Sequence, residues 1–146
     1  MQLAQVNLAR VRAPLDDPMM AEFVANLDPV NALAEATPGF VWRLQDDGGN
    51  ATNISYNENS SIIVNLSVWQ DAEALRSFTY RSHHTDFLKR RREWFTRMDI
   101  FVALWWVQDG HRPTVLEARE RLGHLTEHGP MPHAFTFARV FEPLAH

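Results

Sequence analysis

The hydrophobic and polar positions of this chain follow two spacings, one of two residues and one close to a helical turn. Between Ile62 and Trp69, apolar residues occupy every second position, which is typical of a strand with one buried face. The same alternation, or a short dense run of β-branched and aromatic residues, occurs in four further stretches. Strands are therefore predicted over Leu3 to Val11, Phe40 to Leu44, Ile62 to Trp69, Phe101 to Val107 and Ala134 to Phe141.

Helix-start signals stand between the predicted strands. Asp17 and Asp28 each precede a proline, which places an N-cap carboxylate before a residue suited to the first helical position. Thr114 and Glu117 form a capping box (Thr-x-x-Glu). Helices are predicted from Asp17, from Asp28 to about Thr37, from Asp71 to Tyr80, from about His83 to Met98 and from Thr114 to Gly129.

The order of the core elements is β-α-β-β-α-β, with extra helices and one more strand. This order is that of the split βαβ, ferredoxin-like motif, so we predict an α+β fold with an antiparallel sheet and helices on one face. The turn at Asp46 to Asn50 separates two strands, and no linker or repeat divides the chain. Residues 1–146 are therefore expected to form a single domain.

Two of the predicted strands carry apolar residues on both faces. The alternating sets in the fourth strand are Phe101, Ala103, Trp105 and Val107 on one side and Val102, Leu104 and Trp106 on the other. A sheet covered on one face only would expose a large apolar patch, which monomeric proteins avoid. We therefore predict a homodimer in which two sheets pack face to face as a dimeric α/β barrel. The alternative is that extra helices of the same chain cover the second face.

Composition excludes several classes of protein. The 146 residues, 45% hydrophobic and 22% charged, are typical of a globular domain. A formal charge of −4 argues against nucleic-acid binding. The absence of cysteine excludes disulfides and thiolate chemistry. No apolar run approaches the roughly 18 residues of a membrane span, and no signal peptide is recognised, so a cytoplasmic location is expected.

The predicted helix from His83 to Met98 carries two polar residues on its apolar face. His84 and Arg91, seven positions apart, fall among the apolar residues Phe87, Leu88, Trp94, Phe95 and Met98 on a helical wheel. A buried guanidinium needs a partner, so we expect Arg91 to meet a carboxylate, backbone carbonyls or an anionic ligand. His84 is then placed to hydrogen-bond the ligand or to move a proton. Alternatively, both are satisfied within the protein and only fix the packing of the helix.

The chain is rich in tryptophan, with Trp42, Trp69, Trp94, Trp105 and Trp106. Indoles are usually core residues, but several of them near a histidine and an arginine also suit a pocket for a flat hydrophobic molecule. Candidate polar lining residues are Arg43, Asn65, Ser67 and Arg139 within strands and His111 after a strand end. No metal site is predicted.

Short motifs spread over nearly the whole chain carry a family resemblance: Pro38-Gly39-Phe40-Val41-Trp42, Leu66-Ser67-Val68-Trp69, His84 with Arg91, Glu93-Trp94-Phe95, Leu104-Trp105-Trp106, Gly110-His111-Arg112-Pro113-Thr114, Gly129-Pro130 and Ala134-Phe135-Thr136-Phe137. The chain resembles a bacterial family of unknown function. That family belongs with the dimeric α/β-barrel proteins related to antibiotic-biosynthesis monooxygenases.

The resemblance implies a ferredoxin-like subunit that dimerises through its sheet and binds a ligand between sheet and helices. Proteins of this superfamily include cofactor-free monooxygenases, haem enzymes and small binding proteins, so the fold does not select a function. One hypothesis is a monooxygenase-like oxidoreductase acting on a small aromatic or polycyclic compound, with Arg91 holding an anionic oxygen and His84 moving a proton. The other is a non-catalytic protein that binds a small molecule or haem, with His84 as a candidate axial ligand. No cofactor is predicted, because the haem motifs of the superfamily are not matched.

Overall fold

The strands form one antiparallel sheet in the computed structural model, which describes residues 1–45, 61–83, 91–96 and 101–143, without the side chains of residues 83, 91 and 92. The elements are β1 (Gln2–Val11), a 3-10 helix (Pro18–Met20), α1 (Ala21–Ala25), α2 (Leu27–Ala36), β2 (Phe40–Arg43), β3 (Ile62–Trp69), α3 (Ala72–His83), α4 (Arg91–Trp94), β4 (Phe95–Thr96), β5 (Val102–Val107) and α5 (Val115–His128). None of the helices in the described ranges is long and apolar enough to cross a bilayer.

The sheet is ordered β2-β3-β1, and the free edge of β1 pairs with both β5 and β4. Every pairing is antiparallel. β1 lies at the centre because its ten residues are long enough to pair with β3 on one side and with two shorter strands on the other. This is the ferredoxin-like arrangement that the order of the elements predicts, and the α+β class is confirmed.

One face of the sheet, called face A here, is covered by α5. Its residues are Ala4, Val6, Leu8, Val64, Leu66, Val68, Ala103, Trp105 and Val107, all of which are buried. Ala118, Leu122 and Leu125 of α5 pack against them. The helix starts where predicted, since the Thr114 hydroxyl accepts a hydrogen bond of 3.1 Å from the Glu117 amide.

The opposite face, called face B, is covered by α2 and α3. Leu3, Trp69 and Leu104 of the sheet pack there with Ala34 of α2 and Leu75 of α3, in a group named the α3 cluster. A second group, named the Trp94 cluster, joins Val11 of β1 to Met20, Phe23 and Trp94.

Helices thus lie on both faces, which differs from the expectation that they occupy one. Because α5 belongs to the same chain and buries face A, this face needs no second subunit to shield it from water. The homodimer stays a prediction.

The predicted helix from His83 to Met98 is wrong at its C-terminal end. α4 ends at Trp94, and Phe95 and Thr96 form β4 opposite Val11 and Arg10 of β1. The Arg12 amide also donates a hydrogen bond of 2.7 Å to the carbonyl of Trp94. Pairing with the end of β1 replaces the helical hydrogen bonds, so the helical wheel does not extend beyond Trp94. Residues 84–90 and 97–100 lie outside the described part of the chain.

The predicted strand from Ala134 to Phe141 is also wrong as a regular strand. Within this stretch, the contact with the sheet is a single bridge, in which Phe135 and Leu104 exchange two backbone hydrogen bonds of 2.8 Å. Arg139 instead bridges back to Thr136, and its guanidinium lies 5.0 Å from the ring centre of Phe141. The segment therefore caps the edge of β5 without extending the sheet, because it turns on itself after the bridge.

Candidate functional site

A band of polar side chains crosses the middle of face B. Asn7 on β1 stands directly opposite Asn65 on β3, and Gln5 stands directly opposite Ser67. Residues that alternate along a strand share a face, so these four side chains project together from the two central strands. They are named the polar band.

The polar band lies between the two apolar groups of face B. Leu3 and Trp69, the next pair in register beyond Gln5 and Ser67, belong to the α3 cluster. In the other direction along the strands, Ile63 packs with the Trp94 cluster. Polar residues flanked on both sides by aromatic-rich packing form a surface that can hold the oxygen atoms of an otherwise apolar molecule.

The polar band is ordered at one end and open at the other. The buried indole Nε1 of Trp69 donates a hydrogen bond of 2.9 Å to Ser67 Oγ, and that hydroxyl donates one of 3.0 Å to Gln5 Oε1. Asn65 is exposed and Asn7 is half-buried. Neither amide side chain is hydrogen-bonded within the part of the chain that the structure describes. Amide donors and acceptors therefore remain free for a ligand.

Aromatic rings support Trp69 on two sides. Its ring stacks on Phe78 of α3, with centroids 5.3 Å apart and an interplanar angle of 22°. Phe40 of β2 meets it edge to face at 5.4 Å. Packing and the bond to Ser67 hold the indole in one orientation, so it forms a rigid wall beside the polar band.

Arg43 lies beside Ser67 across the edge of the sheet, so it extends the polar band onto β2. Its guanidinium is paired with Glu35 of α2 at 3.2 Å, and its side chain is largely buried. Because Glu35 neutralises this charge, we interpret Arg43 as a residue that joins β2 to α2 and not as a ligand-binding residue.

A second concave surface, called the groove, lies between the C-terminal end of β5 and the N-terminal half of α5. It has a volume of about 620 Å³ and is lined by Met1, Trp106, Val107, Gln108, His111, Thr114, Leu116, Glu117, Glu120 and Arg121. Glu117 links two of the predicted site residues there. One carboxylate oxygen accepts a hydrogen bond of 2.8 Å from the buried Trp105 Nε1, and the other lies 2.7 Å from His111 Nε2. Trp106 instead donates its indole hydrogen to the carbonyl of Phe141 at 2.7 Å.

Three histidines gather beside the groove. The ring of His124 lies between those of His128 and His133, with both centroid distances 4.5 Å. Burial, followed by the nearby rings of His133 and His128, holds the pKa of His124 below its ordinary value, while Glu120 and Glu127 act in the opposite direction. As the side chains stand, no three acidic or histidine residues in the described ranges form a ready metal centre.

The predicted site residues are divided among several places. Trp69 and Ser67 lie on face B with Asn65, and Trp106 stands opposite Leu3 on the same face, although it also reaches the groove. Trp105 and His111 instead meet at Glu117 beside the groove. Trp94 is buried against Phe23 and Phe95, and Trp42 packs on the face A side, so both are core residues. His84 lies outside the described residues, and at Arg91 only the backbone is described, as the first residue of α4. The pairing of these two residues stays a prediction.

Sequence reasoning missed Gln5, Asn7, Glu117 and the histidine group. The polar positions of β1 were readable, because Gln5 and Asn7 interrupt the apolar run from Leu3 to Ala9. The His-x-x-x-His spacing of His124 and His128 on α5 was readable too. The contact of Glu117 with Trp105 was not, since it depends on how α5 lies on the sheet.

Solved structures with a similar fold include an oxygenase and a putative monooxygenase. A mutant of SnoaB, a cofactor-independent oxygenase from Streptomyces nogalater, superposes with a TM-score of 0.50 at 19% identity, over 77% of this chain and 98% of that one. A putative antibiotic-biosynthesis monooxygenase from Chloroflexus aurantiacus J-10-fl gives a TM-score of 0.48 at 16% identity, over 77% and 98%. At this level of identity the likeness is one of fold. None of the curated proteins matches the chain.

One family model matches almost the full sequence. It is described as a domain of unknown function, DUF3291, and it covers residues 2–146.

Proposed function

The chain belongs to the DUF3291 family, whose description names no activity, so we infer its function from its own site. We propose that the protein binds a small aromatic compound on face B and oxygenates it without a cofactor. The observation that carries this proposal is the polar band, with Asn65 exposed between two aromatic-rich clusters. The antiparallel fold, which is also that of a cofactor-independent oxygenase, supports it.

The polar band favours a flat molecule with carbonyl or hydroxyl oxygens. Its described side chains are two asparagines, a glutamine and a serine, which are neutral and can both donate and accept hydrogen bonds. The rigid indole of Trp69 offers an aromatic surface beside them. A charged or purely aliphatic ligand would leave one of these two features unused, so a phenol or an anthrone-like compound fits best.

The proposed chemistry divides among three residues. Asn65 donates its amide hydrogen to the substrate oxygen on which negative charge develops, as amide groups do in oxyanion holes. His84 removes the proton from the substrate, and Arg91 stabilises the resulting anion. The assignments of His84 and Arg91 rest on the sequence pattern alone.

The reaction balances without an added reductant. The anion of an aromatic CH2 compound gives electrons to O2, and one oxygen atom bonds to that carbon. The other oxygen atom leaves as water with the two hydrogens lost from the carbon, so CH2 and O2 become C=O and H2O. All the electrons come from the substrate.

The test measures oxygen uptake and product mass with a dihydroxyanthrone and a naphthol as probes. We expect the wild-type protein to consume O2 in equal amount to the quinone formed, with label from ¹⁸O2 in the new carbonyl. Asn65→Ala should lower kcat by about 100-fold, the usual cost of removing an oxyanion donor. His84→Ala and Arg91→Ala should abolish turnover while the protein stays folded by circular dichroism.

Gln70→Ala is the matched control, because it removes an exposed amide immediately after β3. Its kcat should equal that of the wild type. Equal activity in Asn65→Ala would overturn the assignment of the polar band, and equal activity in His84→Ala would overturn that of the base. A wild-type protein that neither binds nor oxidises either probe would refute the function for this class of substrate.

Binding without chemistry is the second candidate function, favoured by one observation. None of the four side chains of the polar band takes up or releases a proton near neutral pH. Recovery of a tightly bound probe, unchanged after aerobic incubation, would support this candidate over oxygenation. A Soret band in the purified protein would instead support haem binding.

We also propose, on the family resemblance, that the chain forms a homodimer. The burial of face A by α5 implies that another surface makes the contact. Light scattering at micromolar protein concentration should give twice the chain mass, and the mass of a single chain would refute the dimer.

A further inference from the structure

We propose that His124, His128 and His133 bind a divalent transition-metal ion such as Zn²⁺, Ni²⁺ or Cu²⁺ beside the groove. These three residues are named the histidine cluster. Imidazole nitrogen is a preferred ligand of these ions. The site is separate from the polar band, since α5 packs on face A and the polar band lies on face B.

The ring of His124 lies close to the rings of both other histidines. His124 and His128 are four residues apart on α5, so their side chains lie one above the other on the same side of the helix. His133, which follows the end of that helix, brings its ring to 4.5 Å from that of His124, the same distance as His128. With Zn–N bonds of 2.0–2.1 Å, imidazoles around a tetrahedral ion have centroids about 5 Å apart.

The ring nitrogens of His124 and His133 are used differently within the protein. Nδ1 of His124 is buried and has no hydrogen-bond partner. Nε2 of His133 lies 2.8 Å and 2.9 Å from the two carboxylate oxygens of Glu120. A carboxylate only accepts hydrogen bonds, so Nε2 carries the hydrogen and Nδ1 of the neutral ring keeps its lone pair. Nδ1 of His133 therefore keeps a lone pair for a metal ion, and Nδ1 of His124 has no hydrogen bond to lose on binding.

Glu120 has the position of an outer residue that orients a metal-binding histidine. A carboxylate that accepts a hydrogen bond from the far nitrogen of such a ring fixes its tautomer and raises its affinity for the metal. Arg121 holds the same segment, because its guanidinium donates a hydrogen bond of 2.9 Å to the carbonyl of His133. The positive charge of Arg121 is offset by Glu120, 3.2 Å away.

The cluster is open to solvent, so an ion can reach it. The side chains of His128 and His133 are 48% and 40% exposed. Since the three rings do not yet converge on one point, binding requires rotation of these exposed side chains. Such rotations meet little packing, and the half-buried ring of His124 then provides the third ligand.

The test is calorimetric titration of tag-free protein with ZnCl2 and NiCl2, together with the visible absorption of bound Co²⁺. We expect one ion per chain and a tetrahedral Co²⁺ spectrum. His124→Gln and His133→Gln should each weaken binding by more than about tenfold, and Glu120→Gln by about tenfold, the range for outer-shell partners.

His111→Gln is the matched control, since its ring bonds to Glu117 outside the cluster, and its affinity should equal that of the wild type. Circular dichroism and the melting temperature in EDTA establish that each variant is folded. Wild-type protein that binds no ion at micromolar concentration would overturn the proposal. The proposal would also be overturned if His111→Gln weakened metal binding as strongly as His124→Gln does.

Discussion

The indole Nε1 of Trp69 donates a hydrogen bond of 2.9 Å to the hydroxyl of Ser67, two residues earlier on the same face of β3. Both residues are buried, and the hydroxyl donates a hydrogen bond to Gln5 Oε1 on the neighbouring strand. The link joins the aromatic wall of the proposed binding surface to its polar band, and it gives the buried indole N–H its acceptor.

Removal of that hydroxyl should destabilise the protein. Ser67→Ala leaves a buried indole N–H without its acceptor, at a cost of about 1–3 kcal/mol in the free energy of unfolding. Urea denaturation monitored by circular dichroism measures this change. Ser77→Ala, at a half-buried position on α3, is the control and should change stability by less than about 0.5 kcal/mol. Equal stability of the two variants would show that the indole finds another acceptor.

Glu117 should matter more for stability than its partner His111. Glu117→Ala removes the acceptor of the buried Trp105 N–H, with an expected loss of about 1–3 kcal/mol. His111→Ala removes one member of a solvent-exposed pair and should cost less than about 1 kcal/mol. Chemical denaturation of the two variants and of the double variant checks this order. A larger loss in His111→Ala would reverse the assignment.

Glycine is required at position 39 but not at position 123. Gly39 has a φ of 91°, and an added Cβ would overlap with Ala74 of α3, so Gly39→Ala should cost at least about 1–3 kcal/mol. Gly123 lies within α5 with open space around it, so Gly123→Ala should stabilise the protein by about 0.5–1 kcal/mol. Thermal melts of both variants test this pair, and a shift of the same sign in both would contradict it.

The histidine cluster should make stability depend on pH. The lowered pKa of His124 means that the unfolded chain takes up a proton at this residue at a higher pH than the folded protein does. Stability is therefore fully present above the unfolded pKa of about 6.5 and declines as the pH falls toward the folded pKa. Below the folded pKa both states are protonated, and the decline from this residue stops.

Melting temperatures in EDTA between pH 8 and pH 5 measure this effect, with both pH limits about 1.5 units from the ordinary histidine pKa. The wild type should lose more stability on acidification than His124→Gln. The charged groups that act on His124 are His128, His133, Glu120 and Glu127, and all are kept in this variant. Identical pH profiles would show that His124 does not titrate differently in the folded protein.

The sequence predicted those features that depend on neighbouring residues. The alternation from Ile62 to Trp69 gave the bounds of β3, because a strand with one buried face has a period of two. Asp17, Asp71 and Thr114 each cap a helix as expected, by accepting hydrogen bonds from amides two or three residues ahead. Such contacts form within one short segment, so the order of residues alone specifies them.

Features that join distant segments were decided by the tertiary structure. Helical periodicity continues past Trp94, yet Phe95 and Thr96 are a strand, because the end of β1 offers them backbone partners. The apolar residues of face A indicated that another element must cover this face, but they did not identify that element. The tertiary structure shows that α5 packs against it.

The candidate site shows the same division. The sequence by itself determined that Asn65, Ser67 and Trp69 share a face of one strand, since that follows from the period of two. Only the register of β1 against β3 placed Asn7 and Gln5 opposite them, and only the return of the chain after α5 placed His133 beside His124. Register and chain return depend on the packing of whole faces against each other, and no local pattern encodes that packing.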